Sequence, residues 1–196
     1  PYIGTKEGHL TRTSNRHDYA LAPFSKTALD SLKDAGLDVI GVGKIPDIFV
    51  DQGITRKIKT VSNEDGMNKT IELASDNFNG LAFINLVDFD AVYGHRRNAA
   101  GYGKAIEEFD VQLGKLINEL KNDDLLMVTA DHGNDPTYRG TDHTREQVPL
   151  IIYSKQFNEM KVLNDGDSFG IIGSTICDNF NVKYNGIGSS ILELLK

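Results

Sequence analysis

Cysteine is almost absent. Cys177 is the single thiol among 196 residues, so no internal disulfide can form, and its place in an apolar helical pattern predicts a reduced setting with the thiol in the core. A disulfide scaffold is excluded and thiol catalysis is not expected. Basic residues are also short: Lys plus Arg number 21 against 28 for Asp plus Glu, a formal charge of −7, which repels nucleic-acid backbones and anionic lipid surfaces. No apolar run approaches the roughly 20 residues that span a bilayer, and no basic-then-apolar leader opens the sequence. The expectation is a cytoplasmic protein with no nucleic-acid and no membrane partner. Low-complexity tracts, internal repeats and, within residues 21–196, Pro- or Ser-rich linkers are missing too, while apolar residues make up 39% and charged residues 25%. Disorder of the whole is therefore excluded.

What is present is an alternation of helical and strand patterns. Ser25 is a candidate cap for a helix carrying Ala28, Leu29 and Leu32 on one face, with Gly36 as its left-handed stop. The run DVIGVG follows, β-branched and free of charge after Asp38, and predicts a strand at 37–42 covered on both faces. A second unit repeats the order: Asp65 as a cap, Met67, Ile71 and Ala74 on a helix, then the strand LAFINLV at 81–87. Tyr102, Ile106, Phe109, Leu113, Leu116 and Leu120 are spaced by fours and threes and predict a long amphipathic helix of about five turns. Strands at 125–129 and 148–153 and a helix around Ile171, Ile172, Thr175, Ile176 and Phe180 complete the pattern. It predicts an α/β fold, a three-layer α/β/α sandwich with a mostly parallel sheet, whose ligand sites lie beyond the carboxyl ends of the strands.

Those ends carry the chemistry. LAFINLV runs into Asp88, Phe89, Asp90 and then AVYGHRRN with His95; LLMVT runs into Ala130, Asp131, His132, Gly133, Asn134 and Asp135; the following loop adds Asp142 and His143. Imidazole nitrogen and carboxylate oxygen together are ligands for Mn²⁺, Zn²⁺ or Fe²⁺. The set exceeds what one open catalytic ion needs, and two ions about 3.5 to 4 Å apart can clamp both oxygens of a displacement at phosphorus. Asp88, Asp135 and Asp142 are read as turn formers or as supports for the ligands. Metal affinity is expected to fall on acidification, as protons compete for the ligands.

The wording of these loops, TADHGND followed by GTDHTRE and VPL, with VDFDAVYGHRRN upstream, closely resembles the phosphopentomutase family of the alkaline phosphatase superfamily. The resemblance runs from NRHDYAL at Asn15 to the C-terminal helix, about the second half of that family's length. The sister family, the cofactor-independent phosphoglycerate mutases, shares ADHGN, but places Asp and His one residue closer than Asp90 and His95 and lacks GTDHTRE.

The resemblance implies that Asp90, His95 and His143 ligate one metal and that Asp131 and His132 form part of the shell of another, the usual ion being Mn²⁺. In that family the second ion also takes an N-terminal aspartate and a phosphorylated threonine, and neither has a matching motif here; Thr129, Thr141 and Thr144 lie near the loops without resembling the nucleophile. Arg12, Arg16 and Lys44 become candidates for holding the phosphate of a sugar-phosphate substrate. Residues 1–20 read as the trailing end of a cap domain or a connector, and 21–196 as the C-terminal part of a metal-binding core. Because the chain opens on Pro1 and PYIGTKEGHLTRTSNRHDYAL reads as mid-sequence, a fragment is expected. The implied activity is interconversion of ribose (or deoxyribose) 1-phosphate and 5-phosphate through a two-metal phosphothreonine mechanism. Alternatives are a phosphoglycerate mutase, a metal-dependent phosphatase, or a non-catalytic metal-binding fragment. The isolated chain is expected to be monomeric and to turn over poorly or not at all.

Overall fold

The computed structural model describes residues 20–195 together with two short strands, β1 (Tyr2–Ile3) and β2 (Thr11–Arg12), which pair antiparallel. The rest of the segment read above as a connector or cap remnant lies outside the described residues.

The architecture is organised around β3 (Asp38–Val42), the DVIGVG run. Val39, Ile40 and Val42 are almost wholly buried, and because successive strand side chains point to opposite faces, they feed two separate clusters. Val39 packs with Leu29 and Leu32 of α1 (Ala28–Asp34) and with Cys177. Ile40 and Val42 pack with Leu73, which lies on α3 (Asn63–Ala74). A strand covered by helices on both faces is the middle of a three-layer sandwich, and each such aliphatic side chain contributes about 1.5–3 kcal/mol of transfer free energy. Burial also pushes the Cys177 thiol above its ordinary pKa, in keeping with the predicted core thiol.

After β3 come a short helix, α2 (Ile45–Ile48), and β4 (Arg56–Ile58); α3 then leads to β5 (Gly80–Ile84). The three strands form a parallel sheet in the order β4-β3-β5, with Val42 opposite both Ile58 and Ile84. A π-helical turn (Phe89–Gly94) precedes α4 (Ala99–Glu119), followed by β6 (Leu126–Thr129), β7 (Leu150–Tyr153), α5 (Gly170–Asn179) and a closing 3-10 turn (Leu192–Leu195). The fold is α/β with this parallel sheet at its centre, as expected; β6 and β7 form a separate two-stranded sheet and run antiparallel, pairing Leu126 with Tyr153 and Thr129 with Leu150.

Both predicted caps move. Thr27, not Ser25, caps α1 in a reciprocal box with Asp30, and Ser62, not Asp65, caps α3. Asp65 instead accepts from the Val61 N–H at 2.9 Å and from Lys69 at 2.8 Å. The nearly all-apolar LAFINLV forms a shorter strand than predicted and is only half-buried, with Phe83 exposed. Its pairing with β3 is its one strand pairing among the described residues. On α4, Ala105 and Leu116 take the buried positions, while Ile106 and Val111 face outward. Among the described residues no helix is long and apolar enough to cross a membrane.

Candidate metal centre

Parallel β3 and β5 end at the same edge of the sheet, which is where the loop carrying Asp90 and His95 begins. The π-helical turn sets their relationship. In an α-helix, at 3.6 residues per turn, the fifth residue along points about 140° away around the axis. The i→i+5 closure narrows that offset, and the His95 N–H indeed donates to the Asp90 carbonyl at 3.0 Å. His95 Nε2 then lies 3.3 Å from Asp90 Oδ2. From the loop after β6, His143 Nε2 comes to 3.3 Å from Asp90 Oδ1. The three donor atoms lie within 4.8 Å of one another.

The proton on His95 can be placed. Nδ1 makes a short contact with the Thr141 carbonyl, which can only accept, so Nδ1 carries hydrogen and the Nε2 lone pair of the neutral ring faces a carboxylate oxygen. Two acceptors meeting in this way call for a cation between them, either a proton or a metal ion. A nitrogen-nitrogen-oxygen set with no thiolate matches borderline-to-hard divalent ions, so the residues fit the implied metal.

Asn134, nearly buried, donates from Nδ2 to Asp90 Oδ1 at 2.6 Å. Close approach of these loops explains two glycines in the motifs. A side chain at position 94 would strike the Asn134 amide, and one at 133 would strike Glu146 and the Thr144 carbonyl. Gly133 and Thr144 also form an isolated antiparallel bridge, which closes the loop that bears His143. Burial, with the charge of Asp90 as a smaller contribution, pushes the Tyr102 hydroxyl above its ordinary range.

Asp131 and His132 stand beside this group. His132 Nδ1 donates to the Gly133 carbonyl at 3.1 Å, its Nε2 lies 3.7 Å from the largely exposed Asp131 carboxylate, and its ring stacks on His143 with centroids 3.7 Å apart. Asp88 and Asn63 bond reciprocally, at 2.7 and 2.9 Å, tying the start of α3 to the loop after β5. Asp135 accepts from the Thr137 hydroxyl and N–H, which lowers its carboxyl pKa. The Thr144 hydroxyl accepts from the Asp135 N–H at 2.6 Å and donates to Glu146. Half-buried Lys44 starts α2 just beyond the carboxyl end of β3. Arg16 and the side chain of Arg12 lie outside the described residues. Arg97 and Asn134 join the site from the RRN and DHGN wording directly beside the candidate ligands, which was their one signal in the sequence.

This fold and cluster belong to a known class: residues 3–184 match the model of the metalloenzyme superfamily, and the chain is a member of it. Within that class it is similar to the phosphopentomutases of Clostridium botulinum (strain Alaska E43 / Type E3) and Agathobacter rectalis. Each is 57% identical over 197 aligned positions, which take in 100% of this chain and 50% of the relative. The phosphopentomutase of Clostridium beijerinckii is 55% identical over the same extent. The chain thus spans about half the length of the curated relatives it matches. A crystal structure of Leishmania mexicana phosphoglycerate mutase at low cobalt concentration shares the fold, with a TM-score of 0.62 at 17% identity, covering 86% of this chain and 39% of that one.

Proposed function

We propose that the chain carries one metal-holding centre of a phosphopentomutase, an isomerase interconverting ribose (or deoxyribose) 1-phosphate and 5-phosphate. The observation that carries this reading is the convergence of Asp90, His95 and His143 from loops far apart in sequence, in a chain 57% identical to named phosphopentomutases. Asp90 offers both carboxylate oxygens, His95 offers Nε2 because Thr141 holds its other nitrogen, and His143 offers Nε2 from the opposite loop. Asp131 and His132 are left for a second ion, whose remaining ligands have no counterpart in this sequence. A bound divalent ion, Mn²⁺ in this reading, supplies positive charge opposite the phosphoryl oxygens. Lys44, Arg12 and Arg16 are the cations assigned to substrate phosphate. Residues 21–196 are taken as the C-terminal part of the catalytic core and 1–20 as the end of a cap or connector, in a monomeric, cytoplasmic enzyme.

The nucleophilic threonine of the mechanism is assigned to sequence outside this chain, so the chain alone binds Mn²⁺ weakly and turns over sugar phosphate poorly. The test is calorimetric titration of the chain with Mn²⁺, beside assays of a polypeptide of the relatives' full length. Ribose 1-phosphate should be converted and phosphoglycerate should not. The reverse preference would move the protein to the mutase whose fold it shares at 17% identity. Full activity of the 196-residue chain would refute the missing nucleophile.

A further inference from the structure

Resting on the metal reading above, we infer that Arg97 is a positioning residue that sets all three ligands of the centre through one guanidinium. Its Nε donates to the Gly140 carbonyl at 2.5 Å and its Nη2 to the Asp142 carbonyl at 2.5 Å. Thr141, between those two residues, presents the carbonyl that takes the His95 Nδ1 hydrogen. His143 is the next residue after Asp142. Clamping the carbonyls of 140 and 142 therefore aims the 141 carbonyl at His95 and fixes where His143 leaves the loop. The same guanidinium reaches Asp90 by another route. Nη1 donates to Asn134 Oδ1 at 2.7 Å and to the Asp135 carbonyl at 2.8 Å, and with its oxygen so engaged, the Asn134 amide must turn Nδ2 toward Asp90 Oδ1, where it donates at 2.6 Å.

Only a planar, forked donor spans this arrangement; an ammonium is a point charge that bonds a smaller region. The backbone is adapted to it as well. Arg97 has φ of +52°, a left-handed conformation that non-glycine residues seldom adopt and that costs free energy unless its surroundings hold it.

Charge alone predicts the opposite effect from positioning, which makes the inference decidable. A guanidinium near a cation site repels the ion, so removing it for electrostatic reasons would tighten metal binding. Removing a group that orients the ligands weakens metal binding about 10–100-fold. The experiment compares the unsubstituted chain with Arg97→Asn, whose side chain tolerates the left-handed backbone but is too short for the carbonyls, and with Arg97→Lys, which keeps the charge. Mn²⁺ affinity is measured by calorimetry, and amide hydrogen exchange is followed without metal.

Expected are affinity losses of about 10–100-fold in Arg97→Asn, little recovery in Arg97→Lys, and faster exchange confined to residues 133–144. Unchanged or tighter Mn²⁺ binding by Arg97→Asn, or exchange rising equally in β3, would overturn the inference. Absence of Mn²⁺ uptake by the unsubstituted chain would instead sink the metal reading and this inference with it.

Discussion

Asn134 Nδ2 lies 2.6 Å from Asp90 Oδ1, the oxygen that also faces His143 Nε2 at 3.3 Å. An amide donor on the carboxylate spreads its negative charge and fixes its rotation, so one oxygen faces each histidine. This makes the centre an assembly of two loops, and substitutions in either should be felt by the other.

Replacing His143 by Ala removes one of the three proposed ligands while leaving the Asp90–His95 pair in place. The loss of Mn²⁺ affinity should be at least as large as the 10–100-fold (about 1.4–2.8 kcal/mol) typical of outer partners. Thermal unfolding without metal should barely change, since His143 is exposed. Chelation with EDTA should lower the unfolding midpoint of Mn²⁺-loaded wild type and leave the variant unaffected. Equal Mn²⁺ affinities in calorimetry would contradict the assignment.

Gly94→Ala tests the close approach of the two loops. The added methyl runs into the Asn134 amide, so the loops must part, and metal affinity should fall along with stability, by about 1–3 kcal/mol as for overpacking. Urea unfolding and Mn²⁺ titration of the same preparation measure both. Retained affinity would mean that Asn134 is dispensable.

Acid stability should reflect the cap of α1. Burial raises the Asp30 carboxyl pKa, but hydrogen bonds from Gln52 and from the Thr27 N–H and hydroxyl outweigh it and leave the group below its ordinary range. Asp65 is likewise lowered, chiefly by its hydrogen bond with Lys69. A folded pKa below the unfolded one means the contribution is complete above the unfolded value, about 3.9, and is lost as pH falls through the folded value. The urea midpoint should be flat between pH 7 and about 5 and fall below about 4, less steeply in Asp30→Asn. Superimposable acid limbs for the two proteins would count against this origin.

Core and cap substitutions calibrate the scaffold. Leu32, fully buried among Leu29, Val39 and Cys177, should cost about 2–5 kcal/mol as Leu32→Ala. Thr27→Ala should cost about 1 kcal/mol. Val111, exposed on α4, should tolerate Ser within about 0.5 kcal/mol. Denaturant titrations that reversed this order would show the core to lie elsewhere.

Much of this was legible in the residues. DVIGVG announced a doubly covered strand because a charge-free β-branched run has few other stable fates. The long four-three spacing announced α4 because a stripe of that length suits only a helix. The helix starts were misplaced where several capping residues compete. Ser25 and Thr27, or Ser62 and Asp65, are alike in type, and which one caps depends on where the chain turns. The direction of β7 was illegible because a 20-residue loop can return a strand either way. The meeting of Asp90, His95 and His143 was legible because residue type and strand-end position single out candidate ligands. Arg97 and Asn134 were marked only by their place in the RRN and DHGN wording, since bonds to carbonyls and to an amide in another loop have no periodicity that would give them a role.

The extra residue within the turn from Phe89 to Gly94 implies a particular fragility. Exchanging Ala91, Val92 or Tyr93 preserves the path of the chain, whereas deleting one residue between Asp90 and His95 restores ordinary helical winding and swings the imidazole toward a different side of the turn. A one-residue deletion here would therefore undo the centre while every side chain that builds it is still present.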